Sequence, residues 1–179
     1  IAALAAIEVP VDRYRLEMIV TESLQPFLRP ALATPTLLGY CHQTSRGEFV
    51  GGTERPEPDP SDSLRGTHAG LRDMATKFVR LIPRLAGVRV LRHWAGLVSQ
   101  TADLGPVLGP VPELDGFFLD CGWVYGFMGA PAGGALLARA ITEDAPPPLL
   151  APFGIERLRT GRLIVEGSLV VAAPAAGAA

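Results

Sequence analysis

Apolar and polar residues alternate along residues 14–21, with Tyr14, Leu16, Met18 and Val20 on one side, the pattern of a half-buried strand with that side inward. Residues 36–42 and 48–53 read as two further extended segments, and Ser45-Arg46-Gly47 between them predicts a hairpin turn. Glu54 to Pro60 holds three prolines and reads as a linker or loop. Beyond it the spacing becomes helical: Leu64, Leu71, Met74, Phe78, Leu81 and Ile82 recur up to Pro83, with Ser61, Asp62 and Ser63 as N-cap candidates. At ~1.5 Å per residue that helix would be ~30 Å long. Gly66 and Gly70 each weaken its first half by about 1 kcal/mol against Ala. A strand over 88–98, a loop punctuated by Pro106, Pro110 and Pro112, and a short apolar strand over 117–121 follow.

The last well-marked unit is strand, glycine-rich stretch, helix. Glycines stand at 122, 126, 129, 133 and 134, and Pro131 suits a first helical turn, which predicts a helix from near Ala130 to about Thr142. A helix N-terminus reached through glycines offers free N–H groups and a positive dipole end to an anion. The spacing matches neither GxGxxG nor GxxxxGK[ST]. Two readings stay open for this loop, a plain turn or a cofactor contact.

Composition narrows the chemistry. The 179 residues suffice for one ordinary domain, 20 Gly and 17 Pro imply many turns, and a net charge of -2 offers no field for a nucleic-acid backbone. Lys77 is the single lysine beside 15 arginines, hence the one Schiff-base candidate. Cys41 and Cys121 are too few for a zinc site and too far apart for a CxxC motif, so both read as buried, reduced thiols and no metal site is expected. His93 alternates with Arg92 and Trp94 along a strand and has no partner visible in sequence; it reads as a solvated or structurally bonded histidine. His42 and His68 lack metal-ligand spacing. No GxSxG motif or carboxylate pair supports a hydrolase, and no catalytic residue can be named. No apolar run reaches the ~18 residues of a spanning helix, and the start lacks the basic region of a signal peptide, so a soluble protein is expected. The opening Ile1-Ala-Ala-Leu-Ala-Ala-Ile7, without Met, suggests the later part of a longer chain, and the uncharged tail after Val171 reads as frayed.

Several ordered stretches resemble one family. Arg92-His-Trp-Ala-Gly-Leu-Val-Ser-Gln-Thr-Ala-Asp103, Gly105-Pro-Val-Leu-Gly109, Gly116-Phe-Phe-Leu-Asp-Cys-Gly-Trp123 and Gly126-Phe-Met-Gly-Ala-Pro131 are similar to the carboxyl-terminal half of FAD-dependent amine and amino-acid oxidoreductases, the D-amino-acid oxidase-like family. Ala151-Pro-Phe-Gly-Ile-Glu-Arg-Leu-Arg-Thr-Gly-Arg-Leu-Ile164 resembles the tail of sarcosine oxidase beta subunits and hydrogen cyanide synthase flavoprotein subunits. The resemblance implies an α+β fold: an antiparallel or mixed-sheet substrate domain with a returning strand-loop-helix of a Rossmann-like FAD domain. On that map residues 1–108 are the substrate domain, 109–145 the C-terminal part of the FAD domain and 146–179 a C-terminal extension.

By the same resemblance the whole enzyme moves a hydride from the carbon beside an amine (sarcosine, glycine or a D-amino acid) to FAD. The chain alone, lacking the GxGxxG segment, would be inactive. Gly122, Trp123, Tyr125, Gly126, Phe127, Met128 and Gly129 would contact the cofactor, with Gly126 and Gly129 letting the backbone approach its pyrimidine edge. Three departures bear on substrate and linkage. Gly96 stands where many monomeric relatives carry a flavin-linking Cys, so FAD would be non-covalent through this half. Val98 stands in place of a carboxylate-binding Arg and Met128 in place of a Lys, which makes both substrate-pocket candidates without a cation. The partners implied are a small amine or amino acid, the N-terminal Rossmann half and other subunits of a heteromer, with no nucleic acid. The implied location is the cytoplasm, free or held at a membrane through a partner. The alternative is a non-catalytic α+β binding or assembly module; an upstream strand-GxGxxG-helix in the reading frame would separate the two.

Overall fold

The computed structural model describes residues 1–34, 39–53, 63–143 and 146–164. They form two compact units, one of Tyr14–Leu97, the other of Ile1–Arg13 with the described residues from Val98 onward.

The first unit is a five-stranded sheet faced by a helix. Strands β1 (Asp12–Thr21), β2 (Leu32–Thr34), β3 (Gly39–Gln43), β4 (Phe49–Thr53) and β5 (Val90–Gln100) stand in the order β2-β3-β4-β1-β5, and the β2/β3, β3/β4 and β4/β1 pairs are antiparallel. The β3–β4 hairpin turns where Ser45-Arg46-Gly47 predicts it, with Gly47 at φ +104°, a conformation open to glycine. The predicted strand residues 36–38 and the 54–60 linker lie outside the described residues. Helix α1 (His68–Leu81) buries Met74 and Phe78 against Ile19, Cys41 and Phe49, with Ile82 and Leu85 closing the core. Each such large apolar side chain contributes roughly 1.5–3 kcal/mol.

Two expectations change here. The side of β1 bearing Tyr14, Leu16, Met18 and Val20 is only half-buried, while Glu17, Ile19 and Thr21 are the buried positions. Apolar alternation misreads this strand because its two buried polar groups are satisfied: Thr21 Oγ1 accepts from the Phe49 N–H, and Glu17 is held by four donors described below. Helix α1 starts at His68 behind Thr67, not behind Ser61, Asp62 or Ser63, and its 14 residues span ~21 Å. Ser63 instead accepts from Arg65 N–H in a local turn, and Leu64 C=O accepts from the Ala95 N–H of β5, holding this stretch extended. Ser61 and Asp62 lie outside the described residues.

The second unit pairs β6 (Val107–Pro110) antiparallel with β7 (Phe118–Cys121) and covers them with helix α2 (Gly126–Thr142). A 3-10 turn over Pro148–Phe153 and the short α3 (Glu156–Arg159) complete it. Its core is Ile7, Val107, Val111, Leu119 and Ile155. Strand β6 lies inside the expected loop; its four residues begin just after Pro106 and end on Pro110, positions where a strand end tolerates a missing donor. Helix α2 begins at Gly126, one turn before the expected Ala130, so Gly126 to Gly129 are its first turn and Pro131 its sixth residue. Pro131 gives up the bond to the Phe127 carbonyl, and Phe127 is exposed to water. The antiparallel sheet, the helices and the strand-loop-helix of β7 and α2 give the expected α+β class. Division by compactness falls at 13/14 and 97/98, whereas roles for 1–108, 109–145 and 146–179 belong to the functional proposal below.

Candidate active-site edge

Helix α2 carries six of the seven cofactor candidates at its start or against its surface. Strand β7 ends at Cys121, and Gly122 turns the chain at φ +75°, where a Cβ would lie 2.9 Å from Thr101 Cγ2. Trp123 follows, its Nε1–H donating to Asp120 Oδ1. The indole rests on a glycine stripe: a Cβ at Gly129 would overlap the ring, one at Gly133 would come 2.6 Å from Cζ2, and one at Gly126 would come 3.3 Å from Trp123 Cβ. Gly126 and Gly129 thus make room for Trp123, a packing reason that the resemblance did not supply.

The N-terminus of α2 is open. Tyr125 at the N-cap provides no side-chain cap, the N–H groups of Met128 and Gly129 turn back to Tyr125 O at 3.2 and 3.1 Å, and those of Gly126 and Phe127 have no partner among the described residues. A helix end of this length carries roughly half a positive charge. Around it stand exposed apolar side chains: Phe127 is 99% and Met128 74% exposed, with Tyr125 beside them. Unfilled donors, a positive dipole end and an apolar rim suit a flat, weakly anionic group.

A buried network lies behind this edge. Asp103 accepts from Arg157 Nε (2.7 Å) and Nη2 (3.0 Å), from the N–H groups of Gly105 (3.1 Å) and Ile164 (3.0 Å), and from Thr101 Oγ1 (2.9 Å). Arg157 also donates to the carbonyls of Phe153, Gly154 and Gly105. Burial alone would raise the Asp103 carboxyl; the bonds from Arg157, Ile164 and Thr101 outweigh it and hold it at about 2.

A second network lies in the sheet unit. Glu17 accepts from Thr67 N–H (3.0 Å) and Thr67 Oγ1 (2.8 Å), His93 Nε2 lies 2.7 Å away and Arg15 3.5 Å. Burial would raise this carboxyl too, but Thr67 and His93 keep it below its ordinary value. His93 is therefore structurally bonded, as its alternation with Arg92 and Trp94 allows. Gly66 and Gly70 make room for this cluster, since a Cβ would overlap the His93 ring or Glu17.

The remaining candidates are dispersed. Val98 is half-buried near the end of β5, Met128 sits in the first turn of α2, and a Cβ at Gly96 would meet nothing within 4 Å. Lys77 pairs with Asp73 at 2.6 Å, His42 and His68 are exposed, and Cys41 and Cys121 are free thiols whose pKa burial raises. Glu17, Thr101, Asp103 and Arg157 escaped sequence reasoning as functional residues; Asp103 and Arg157 stand inside the stretches that carry the resemblance, which was the available signal. Among the described residues no group of three His, Cys, Asp or Glu could hold a metal, and no helix is long and apolar enough to cross a membrane.

The family model DAO, FAD dependent oxidoreductase, matches residues 1–140. The sarcosine oxidase subunit beta of an Arthrobacter species is 33% identical over 174 residues, covering 96% of this chain and 42% of that protein. The hydrogen cyanide synthase subunit HcnC of Pseudomonas protegens is 30% identical over 155 residues, covering 86% and 36%. The crystal structure of L-proline dehydrogenase from P. horikoshii superposes with a TM-score of 0.83 at 29% identity, over 92% of this chain and 45% of that one. The chain spans about 40% of the length of the curated relatives it matches. It belongs to the FAD-dependent oxidoreductase family.

Proposed function

We propose that this member of the FAD-dependent oxidoreductase family is the C-terminal part of an enzyme that oxidises the C–N bond of an amine or amino acid, and that the open end of α2 is its contact with FAD. The observation that carries the reading is the pair of unfilled N–H groups at Gly126 and Phe127 under an exposed apolar rim. Bound FAD would supply the acceptor for a hydride from the carbon beside the substrate nitrogen. The chain's own part is electrostatic and steric. The N–H groups of Gly126 and Phe127 would donate to an acceptor oxygen on the flavin edge, favouring the electron-rich form through the helix dipole. Phe127, Met128 and Tyr125 would exclude water beside it. Gly122 and Gly129 would set the backbone path, Gly129 by seating Trp123.

With Gly96 offering no thiol, acid precipitation of the full-length protein would release any flavin attached through this half. Val98 and Met128 offer no cation to a substrate carboxylate, so Met128→Lys would lower KM for an N-methyl amino acid by a charge-assisted contact of about 1.5–3 kcal/mol. An unchanged KM with flavin content intact would take Met128 out of the substrate pocket. Other subunits of a heteromer and a cytoplasmic location, free or at a membrane through such a partner, belong to the same proposal.

The test is flavin stoichiometry. The full-length protein should carry FAD near one per chain, and the 179-residue chain alone little or none. A flavin-free full-length protein that is folded would overturn the reading in favour of a non-catalytic module.

A further inference from the structure

We infer that the Asp103–Arg157 pair is a positioning device for the open end of α2, through which residues 148–164 tune the flavin; the inference rests on the FAD reading above. Both side chains are almost fully buried, at 1% and 6% exposure. Their contacts converge on one short turn, residues 101–105. That turn holds Leu104 at φ +63°, a conformation that a non-glycine residue keeps only where its surroundings over-determine it. Thr101, buried beside it, shares its one hydroxyl proton between Asp103 Oδ1 at 2.9 Å and Gly105 O at 2.6 Å and sets its methyl where a Gly122 side chain would stand. Gly122 in turn leads, four residues later, into the first turn of α2. The path from Arg157 to the unfilled N–H groups therefore runs from guanidinium to carboxylate, from carboxylate to hydroxyl, through a methyl that stands where a Gly122 side chain would be, and along the backbone into α2.

Charge adds a second line of influence. With both groups ionised the pair is neutral, and the Asp103 carboxyl at about 2 stays ionised at any ordinary pH. Removing either partner leaves an uncompensated charge in the low-dielectric space behind the flavin-facing loop, where its field is weakly screened. The sign of that charge differs between the two cases. A pair that served only to hold the fold together would not make the flavin respond in opposite directions to the loss of its two halves.

The experiment uses the full-length protein and its Arg157→Met, Asp103→Asn and Thr101→Ser variants. FAD dissociation constants and flavin midpoint potentials are measured at neutral pH, and melting temperatures record the fold. Arg157→Met and Asp103→Asn should each weaken FAD binding by roughly tenfold. The potential should fall in Arg157→Met, where a carboxylate is left alone, and rise in Asp103→Asn, where a guanidinium is. Thr101→Ser keeps the hydroxyl and loses the methyl under Gly122, so it should loosen FAD by a smaller factor with little change in potential. If Arg157→Met does not fold, Asp103→Asn and Thr101→Ser decide the matter. Folded variants with lowered melting temperatures but wild-type FAD affinity and potential would overturn the inference. A wild-type protein that binds no FAD would instead overturn the functional reading, and the inference with it.

Discussion

Helices α1 and α2 start from similar material. Neither has an acidic residue in its first turn, and each carries a glycine there against which another residue packs. At α1 the fold itself fills the N-terminus. Thr67 Oγ1 accepts from Gly70 N–H at 3.0 Å, Glu17 accepts from Thr67 N–H, and the space beside Gly70 is taken by the Glu17 carboxylate. At α2 the space beside Gly129 is taken by Trp123, an apolar ring, and among the described residues no side chain answers the N–H groups of Gly126 and Phe127. A glycine at a helix start therefore says little by itself. What separates a structural end from a binding end is whether the protein's own acceptor already occupies it.

The largest expected effect falls on the closed end. Glu17→Ala in the full-length protein should cost about 3 kcal/mol in denaturant unfolding, because it strips the acceptor from Thr67 and His93. FAD affinity should be untouched. A cost near zero would mean that the α1 end is no better satisfied than that of α2.

Acid should next attack the support behind the open end. The folded Asp103 carboxyl, at about 2, lies below its ordinary 3.8, so its contribution is complete above the higher value and lost as pH falls through that window. It amounts to about 2 kcal/mol, readable as a melting temperature that drops across the window in wild type and drops less in Asp103→Asn. Equal slopes in the two proteins would remove Asp103 from the account.

Glycine substitutions within α2 sharpen the comparison further. Gly129→Ala pushes a methyl into Trp123 and should cost about 1–3 kcal/mol with a shift in tryptophan emission, whereas Gly134→Ala, where a Cβ meets nothing within 4 Å, should stabilise by about 0.4–1 kcal/mol. Two equal effects would mean that Trp123 is not seated on the stripe. Gly129→Val, which the resemblance alone would treat as a probe of flavin contact with the fold intact, is on this geometry a packing mutation as well.

Strands β1, β3, β4, β5 and β7 and the strand-loop-helix were legible in the sequence because alternation, turn residues and glycine spacing are local signals, whereas the three-residue β2 is too short to show a pattern. The inward side of β1 was not, since hydropathy treats Glu17 and Thr21 as outward residues and cannot show that Thr67, His93 and Phe49 satisfy them. The start of α1 was misread for a related reason: Ser61, Asp62 and Ser63 match Thr67 as cap chemistry, and the choice is made by Glu17, fifty positions earlier. Strand β6 was hidden by the prolines around it. The Asp103–Arg157 pair joins residues 54 positions apart, so its two halves could be quoted in matching stretches without revealing that they meet.

If the α2 end is open for FAD, closing it should displace the cofactor. Tyr125→Asp supplies at α2 the kind of acceptor that Glu17 and Thr67 supply at α1, worth about 1 kcal/mol to the helix. In the full-length protein the FAD dissociation constant should rise by roughly tenfold and the flavin midpoint potential should fall, as a carboxylate takes the donors and repels the electron-rich flavin. Wild-type affinity and potential in a folded Tyr125→Asp protein would contradict the account.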